Sequence, residues 1–89
     1  MANSAAEQAV IAAAQAEGID PRILLSIWQQ ESGRSTNLGL RGPTIPKGRN
    51  AGSYARGPFQ IMSFHGAIPD SFEGQARWAA RHIKERGVE

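Results

Sequence analysis

DPRILLSIWQQESG, residues 20–33, decides the fold. Asp20 offers a side-chain oxygen to the unpaired amides of a helix start. Pro21 fits the first helical position, where a missing N–H is no loss. Ile23, Leu24, Ile27 and Trp28 then recur at helical spacing, which predicts a helix with one face in the core and its stop at Gly33. Glu31 lies four residues after Ile27, three after Trp28 and seven after Leu24, so the apolar stripe of this helix ends on a carboxylate.

Upstream, Ser4-Ala5-Ala6-Glu7 has the form of a capping box, and an alanine-rich helix follows to about Glu17. Ala6, Val10, Ala13 and Ala16 make its thin apolar stripe, and Gly18 is its expected stop. Downstream, residues 33–57 hold Gly33, Gly39, Gly42, Pro43, Pro46, Gly48, Gly52 and Gly57, which exclude a long helix. Leu38, Leu40, Ile45 and Tyr54 are the apolar residues there that can anchor short strands or turns. The run GPFQIMSF, residues 57–64, suits either a short buried strand or one helical turn. Asp70 is the expected cap of a last helix, with Glu73 at its third position, Phe72, Ala76, Ala79 and Ile83 as its apolar stripe, and Gly87 at its end. Arg77, Arg81 and Lys84 fall on another face, and Trp78 lies off the stripe, where it packs on a neighbour or marks an exposed apolar patch. These elements predict a mainly α single domain spanning residues 1–89, with the second helix at its centre and a long Gly/Pro-rich loop as one wall of a cleft.

Eighty-nine residues exclude a multidomain protein, a repeat array and a large cofactor enzyme. A core this small predicts marginal stability, or support from a partner chain or self-association. With no cysteine there is no disulfide framework, no thiolate nucleophile and no cysteine-ligated metal. The N-terminal stretch has neither a basic segment nor a long apolar one, so it does not read as a signal peptide, and no apolar run is long enough to span a bilayer. The net charge is +2, but residues 32–69 concentrate five basic side chains, Arg34, Arg41, Lys47, Arg49 and Arg56, with no carboxylate. Such a segment suits an anionic polymer, cell-wall or nucleic acid; the plainer reading is a solvated loop.

Glu31 is the residue with the most chemistry in prospect. Burial on the stripe and the negative end of the helix dipole would both disfavour its charged form, which is what a general acid at neutral pH requires. The competing reading is a glutamate whose stem packs while its head reaches solvent. Glu31 is also the only carboxylate between Asp20 and Asp70. A cleft built by the long loop would therefore have a single acid for proton chemistry.

EGIDPRILLSIWQQESGR, followed downstream by YARGPFQIM, resembles the lytic transglycosylase and goose-type lysozyme family, in which a helix ending in Glu-Ser is followed by a loop and a Gly-x-x-Gln-x-Met segment. Here these are Glu31-Ser32 and Gly57, Gln60 and Met62. QARWAARHIKERG, residues 75–87, is similar to the last helix of some phage and actinobacterial members. The resemblance implies a lysozyme-like helical fold and cleavage of the β-1,4 bond between N-acetylmuramic acid and N-acetylglucosamine in peptidoglycan glycan strands, without metal or organic cofactor. It implies a cell-wall, periplasmic, extracellular or virion setting.

By the same resemblance Glu31 is the acid/base, and Ser32 orients it or holds the local backbone. Gln60 hydrogen-bonds the sugar, Met62 lines the acetamido pocket, and Gly57 opens the second motif. A lone carboxylate suits this chemistry, because the substrate's own 2-acetamido group can stabilise the oxocarbenium-like centre where other glycosidases use a second acid. Plainer roles stand beside these: core packing for Met62 and Phe59, a loop-bracing amide for Gln60, and for Tyr54 either stacking on a sugar or anchoring the loop. The chain departs from the family in its longer, Gly/Pro-richer loop, in ending at Glu89 before the family's later tyrosine motif, and in having His82 where the last helix carries a tyrosine. It thus resembles a short form, a fragment, or a form missing one wall. Two further classes stay open: a non-catalytic glycan-binding module on the same fold, and a small basic helical protein that binds nucleic acid, though no nucleic-acid motif is present.

Overall fold

The structure is a computed structural model that describes residues 4–86. In chain order it has α1 (Ser4–Glu17), α2 (Pro21–Ser32), β1 (Arg41–Thr44), β2 (Tyr54–Arg56), β3 (Ile61–Met62), a 3-10 turn (Ser63–His65) and α3 (Phe72–Arg86). The mainly α character expected from the sequence is present, with a small antiparallel sheet of order β1-β2-β3 added to it. The Ser4 side chain and Gly87, expected as a cap and a stop, lie outside the described residues.

The start and end of α2 follow their sequence signals. Asp20 accepts from the Arg22 amide at 2.9 Å, Pro21 opens the helix, and Gly33 closes it in the left-handed region, its N–H turned back to the Gln29 carbonyl at 2.9 Å. Leu24 and Trp28 are completely buried, while Ile23 and Ile27 are half-buried against the same core. Trp28 meets Phe72 edge-on at 5.5 Å and Phe59 at 6.5 Å, so one large ring joins α2 to the turn before β3 and to the start of α3.

Three sequence expectations are corrected. On α1 the buried residues are Val10, Ala13, Ala14 and Glu17, and Ala16 is exposed. The reason is that α1 packs against both α2 and α3, so the central helix by backbone packing is α1 rather than α2. Alanines on both sides (Ala13 and Ala14 against Ala76, Ala79 and Ala80) allow helix axes to approach closely. On α3 the cap is Ser71, not Asp70: its Oγ accepts from the Gly74 amide at 2.9 Å. In the Gly/Pro-rich segment the short strands that its apolar residues could anchor are present. Arg41 pairs with Arg56 and Thr44 with Tyr54, with an irregularity between them, and the Ile45 and Ser53 backbones extend the hairpin. Pro43 is tolerated because β1 is an edge strand with one neighbour.

GPFQIMSF resolves into both of its readings at once. Residues 57–60 turn, β3 pairs Met62 with Ala55 and Ile61 with Arg56, and the 3-10 turn follows.

Candidate active site

Glu31 stands in the last turn of α2, on a backbone fixed from several directions. Ser32 Oγ donates to the Trp28 carbonyl at 3.3 Å and accepts from the Ser35 amide at 3.1 Å. The Trp28 indole N–H donates to the Ser35 carbonyl at 2.8 Å. Arg34, itself in the left-handed region at φ 67°, lays its guanidinium over Trp28 at 5.6 Å and bridges to Glu7 on α1 at 2.6 Å. Ser32 therefore ties the end of α2 to the segment that follows it. The expectation that Glu31 is buried on the apolar stripe is corrected: its side chain is exposed. The stripe runs past the edge of what α1 and the aromatic core cover, and among the described residues nothing hydrogen-bonds its carboxylate.

A cleft of about 240 Å³ is lined by Ile27 of α2, residues 59–62, His65, and Trp78, Ala79, His82 and Ile83 of α3. The structure thus brings Gln60 and Met62 into one cleft with Ile27. Glu31 is one helical turn beyond Ile27, roughly 6 Å along the same face of α2, and is not among the residues that line this cleft. Tyr54 is not part of the lining. It is half-buried under the Arg41 guanidinium, 3.7 Å from its ring centre, which is the loop-anchoring role.

Gln60 sits at φ 51°, a left-handed conformation that a non-glycine residue adopts only when its surroundings hold it there. Its Nε2 donates to the Gly57 carbonyl at 2.9 Å and the Leu40 carbonyl at 3.3 Å, tying the turn to the strand beside it. Two glycines admit this amide and its neighbour. A Cβ on Gly42 would strike the Gln60 amide oxygen, and a Cβ on Gly57, at φ 83°, would strike the Gln75 amide. Gln75 is wholly buried and donates to the Pro69 carbonyl at 2.9 Å, which closes the loop before α3. Of the residues carried over from the family motif, Gln60 thus takes its loop-bracing role while also facing the cleft, Met62 lines it half-buried, and Gly57 is a close-approach glycine in the wall behind.

The far wall was only partly legible. Trp78 and His82 are one turn apart on α3 and stack at 4.9 Å with planes 14° apart; His65, from the 3-10 turn, meets them edge-on at 5.0 and 5.2 Å. Burial, then the neighbouring His65 and Arg86, hold the His82 imidazole below its ordinary range, against a smaller opposing effect of Glu85. The i, i+4 spacing of Trp78 and His82 was a usable signal; His65 had none, because its segment had no assigned period. Nor did the sequence single out Glu17, which is 7% exposed and bridged by Arg77 at 3.0 Å and Arg81 at 3.5 Å. Its carboxyl is held low, first by the Arg77 hydrogen bond, against burial.

Arg41, Lys47 and Arg49 of the basic segment are exposed around the β1–β2 hairpin. Among the described residues no group of three or more His, Asp or Glu side chains is placed to hold a metal ion, and no helix is long and apolar enough to cross a membrane. Compared with family models, with curated proteins and with solved structures, the chain matches none of them.

Proposed function

We propose that this chain is a peptidoglycan-cleaving enzyme of lysozyme-like fold, a lytic transglycosylase or lysozyme, that uses Glu31 as its only acid/base. The observation that carries this reading is the shared cleft: Gln60 and Met62, picked out from the sequence together with Glu31, both line the cleft whose α2 wall is Ile27, one turn before that glutamate. In the proposed reaction the Glu31 carboxyl gives its proton to the glycosidic oxygen as the bond from that oxygen to C1 of the muramyl sugar breaks. The substrate's acetamido oxygen shares the positive charge that develops at C1. The carboxylate then takes the proton of the oxygen that attacks C1, from the muramyl 6-hydroxyl in a transglycosylase or from water in a lysozyme. An exposed carboxylate meets the requirement for a protonated acid only when bound glycan lies over it and excludes water. The exposed Arg41, Lys47 and Arg49 suit the anionic wall polymers around such a substrate.

One observation favours a second reading, a glycan-binding module without catalysis: no described residue orients the Glu31 carboxylate. Turbidity of purified cell walls separates the two. The wild-type chain clears the suspension and Glu31→Gln does not, while both sediment with the walls. Equal clearing by both would overturn the catalytic assignment. Sedimentation without clearing by either would leave the binding module in its place.

A further inference from the structure

The β1–β2 hairpin carries a charge arrangement that the fold does not neutralise. Arg41 and Arg56 are direct partners across the two strands, so their side chains leave the same face of the sheet with Cβ atoms roughly 5 Å apart. Like charges set opposite one another destabilise a sheet unless an anion sits with them. The chain supplies none: residues 32–69 contain no carboxylate, and among the described residues neither arginine takes part in an ion pair. The two guanidinium groups are held in different ways. That of Arg41 rests on the Tyr54 ring, 3.7 Å from its centre, and makes one long contact, 3.5 Å, from Nη2 to the Thr44 hydroxyl. Arg56 is half-buried beside its other strand partner, the buried Ile61, and its Nε–H is enclosed without an acceptor. A buried donor left unpaired in a native fold points to a partner that the chain itself does not contain.

The same hairpin narrows what that partner is. Lys47 and Arg49 are exposed in the loop between its strands, so four cations and no acid lie between residues 41 and 56. Such a row matches an anion that repeats along a chain. Its oxygens must serve two guanidinium groups that arrive from separate strands. A tetrahedral phosphate does so, while the two in-plane oxygens of a carboxylate fit a single fork. Nucleic-acid bases would have nothing to stack on: Tyr54 is the one aromatic residue of the hairpin, and it lies half-buried beneath Arg41.

We propose that Arg41 and Arg56 form a phosphate-binding site for a base-free phosphodiester polymer, a polyol phosphate, with Lys47 and Arg49 extending the contact along the hairpin. The site goes beyond the catalytic reading of Glu31 and stands without it.

The test titrates the full chain with short unsubstituted poly(glycerol phosphate) over a range of salt, while the arginine Nε–H resonances are followed by NMR. The expected result is saturable binding with a shift of the Arg56 Nε–H resonance, and a log K that falls linearly with log salt. Arg41→Gln and Arg56→Gln should each lower that slope by about one. Arg22→Gln, which removes an equal charge from the start of α2, should leave it unchanged. Should Arg56→Gln fail to fold, Arg56→Lys takes its place: it keeps the charge, loses the fork, and should weaken binding several-fold. No binding at low salt would overturn the site. So would a stationary Arg56 Nε–H on binding, or an equal loss of slope in Arg22→Gln, since either would mean attraction by net charge alone. Poly-L-glutamate bound as tightly as the polyol phosphate would overturn the phosphate chemistry. Tighter binding of a single-stranded oligonucleotide with as many phosphates would make the partner a nucleic acid and overturn the polyol assignment.

Discussion

At Gln60 the backbone adopts a conformation that suits glycine, and two side-chain hydrogen bonds hold it there. Gln60→Ala removes both bonds and leaves the Leu40 and Gly57 carbonyls without that donor, with the unfavourable φ unchanged. The expected loss is about 1–2 kcal/mol, read from the midpoint of urea unfolding. An unchanged midpoint would mean that the amide does not hold the turn and is free for a ligand. Gly57→Ala should be worse. Left-handed backbone alone costs an L-residue roughly 1–2 kcal/mol, and the new methyl would collide with the Gln75 amide. A variant with wild-type stability would show that the turn can relax away from α3.

At the level of elements, caps and packing separate cleanly. The Ser71 hydroxyl, not the Asp70 carboxylate, meets the free amide of α3, so Ser71→Ala should lower stability by about 1 kcal/mol while Asp70→Ala leaves it nearly unchanged, both by thermal unfolding. The reverse order would restore Asp70 as the cap. The one-residue shift also shows what a sequence can and cannot reveal. Both Asp70 and Ser71 are competent caps, and residue type alone does not choose between them. The α2 helix was legible because its cap, its proline, its apolar stripe and its closing glycine all agree. The β1 strand was hidden because Gly42 and Pro43 disfavour strands in general, and only its edge position excuses them. Likewise Ala14 and Ala16 are equivalent by propensity. Which of them is buried depends on α3, fifty and more residues away in sequence. Glu31 follows the same logic: helical spacing fixes the face it shares with Ile27, while its exposure depends on how far neighbouring elements reach along that face.

For the whole molecule, the core is small and depends on few side chains. Trp28→Ala removes the ring that joins α2, Phe59 and Phe72, and should cost about 3–5 kcal/mol, enough to leave a domain of this size largely unfolded by circular dichroism. The pH dependence of stability should have two steps. The folded state resists protonating His82, which is half-buried against Trp78 and His65, with Arg86 and Glu85 as its charged neighbours and Ile27 lining the same cleft from α2. Its contribution is intact above about pH 6.5, the ordinary imidazole value, and is lost as pH falls through the lowered one. Glu17, held low by Arg77, adds a second loss below about pH 4.5. His82→Gln should remove the first step from a series of thermal midpoints and keep the second; a wild-type midpoint that rises on acidification below pH 6.5 would contradict the burial of the imidazole. The most direct measurement on the account as a whole is the mass spectrum of what purified cell walls release. Wild-type protein should liberate muropeptides, ending in 1,6-anhydro rings if the sugar's own hydroxyl attacks and in reducing ends if water does, and Glu31→Gln should liberate none. Release by the glutamine variant at the wild-type rate, or no release by the wild-type chain, would contradict the claim that Glu31 breaks a glycosidic bond.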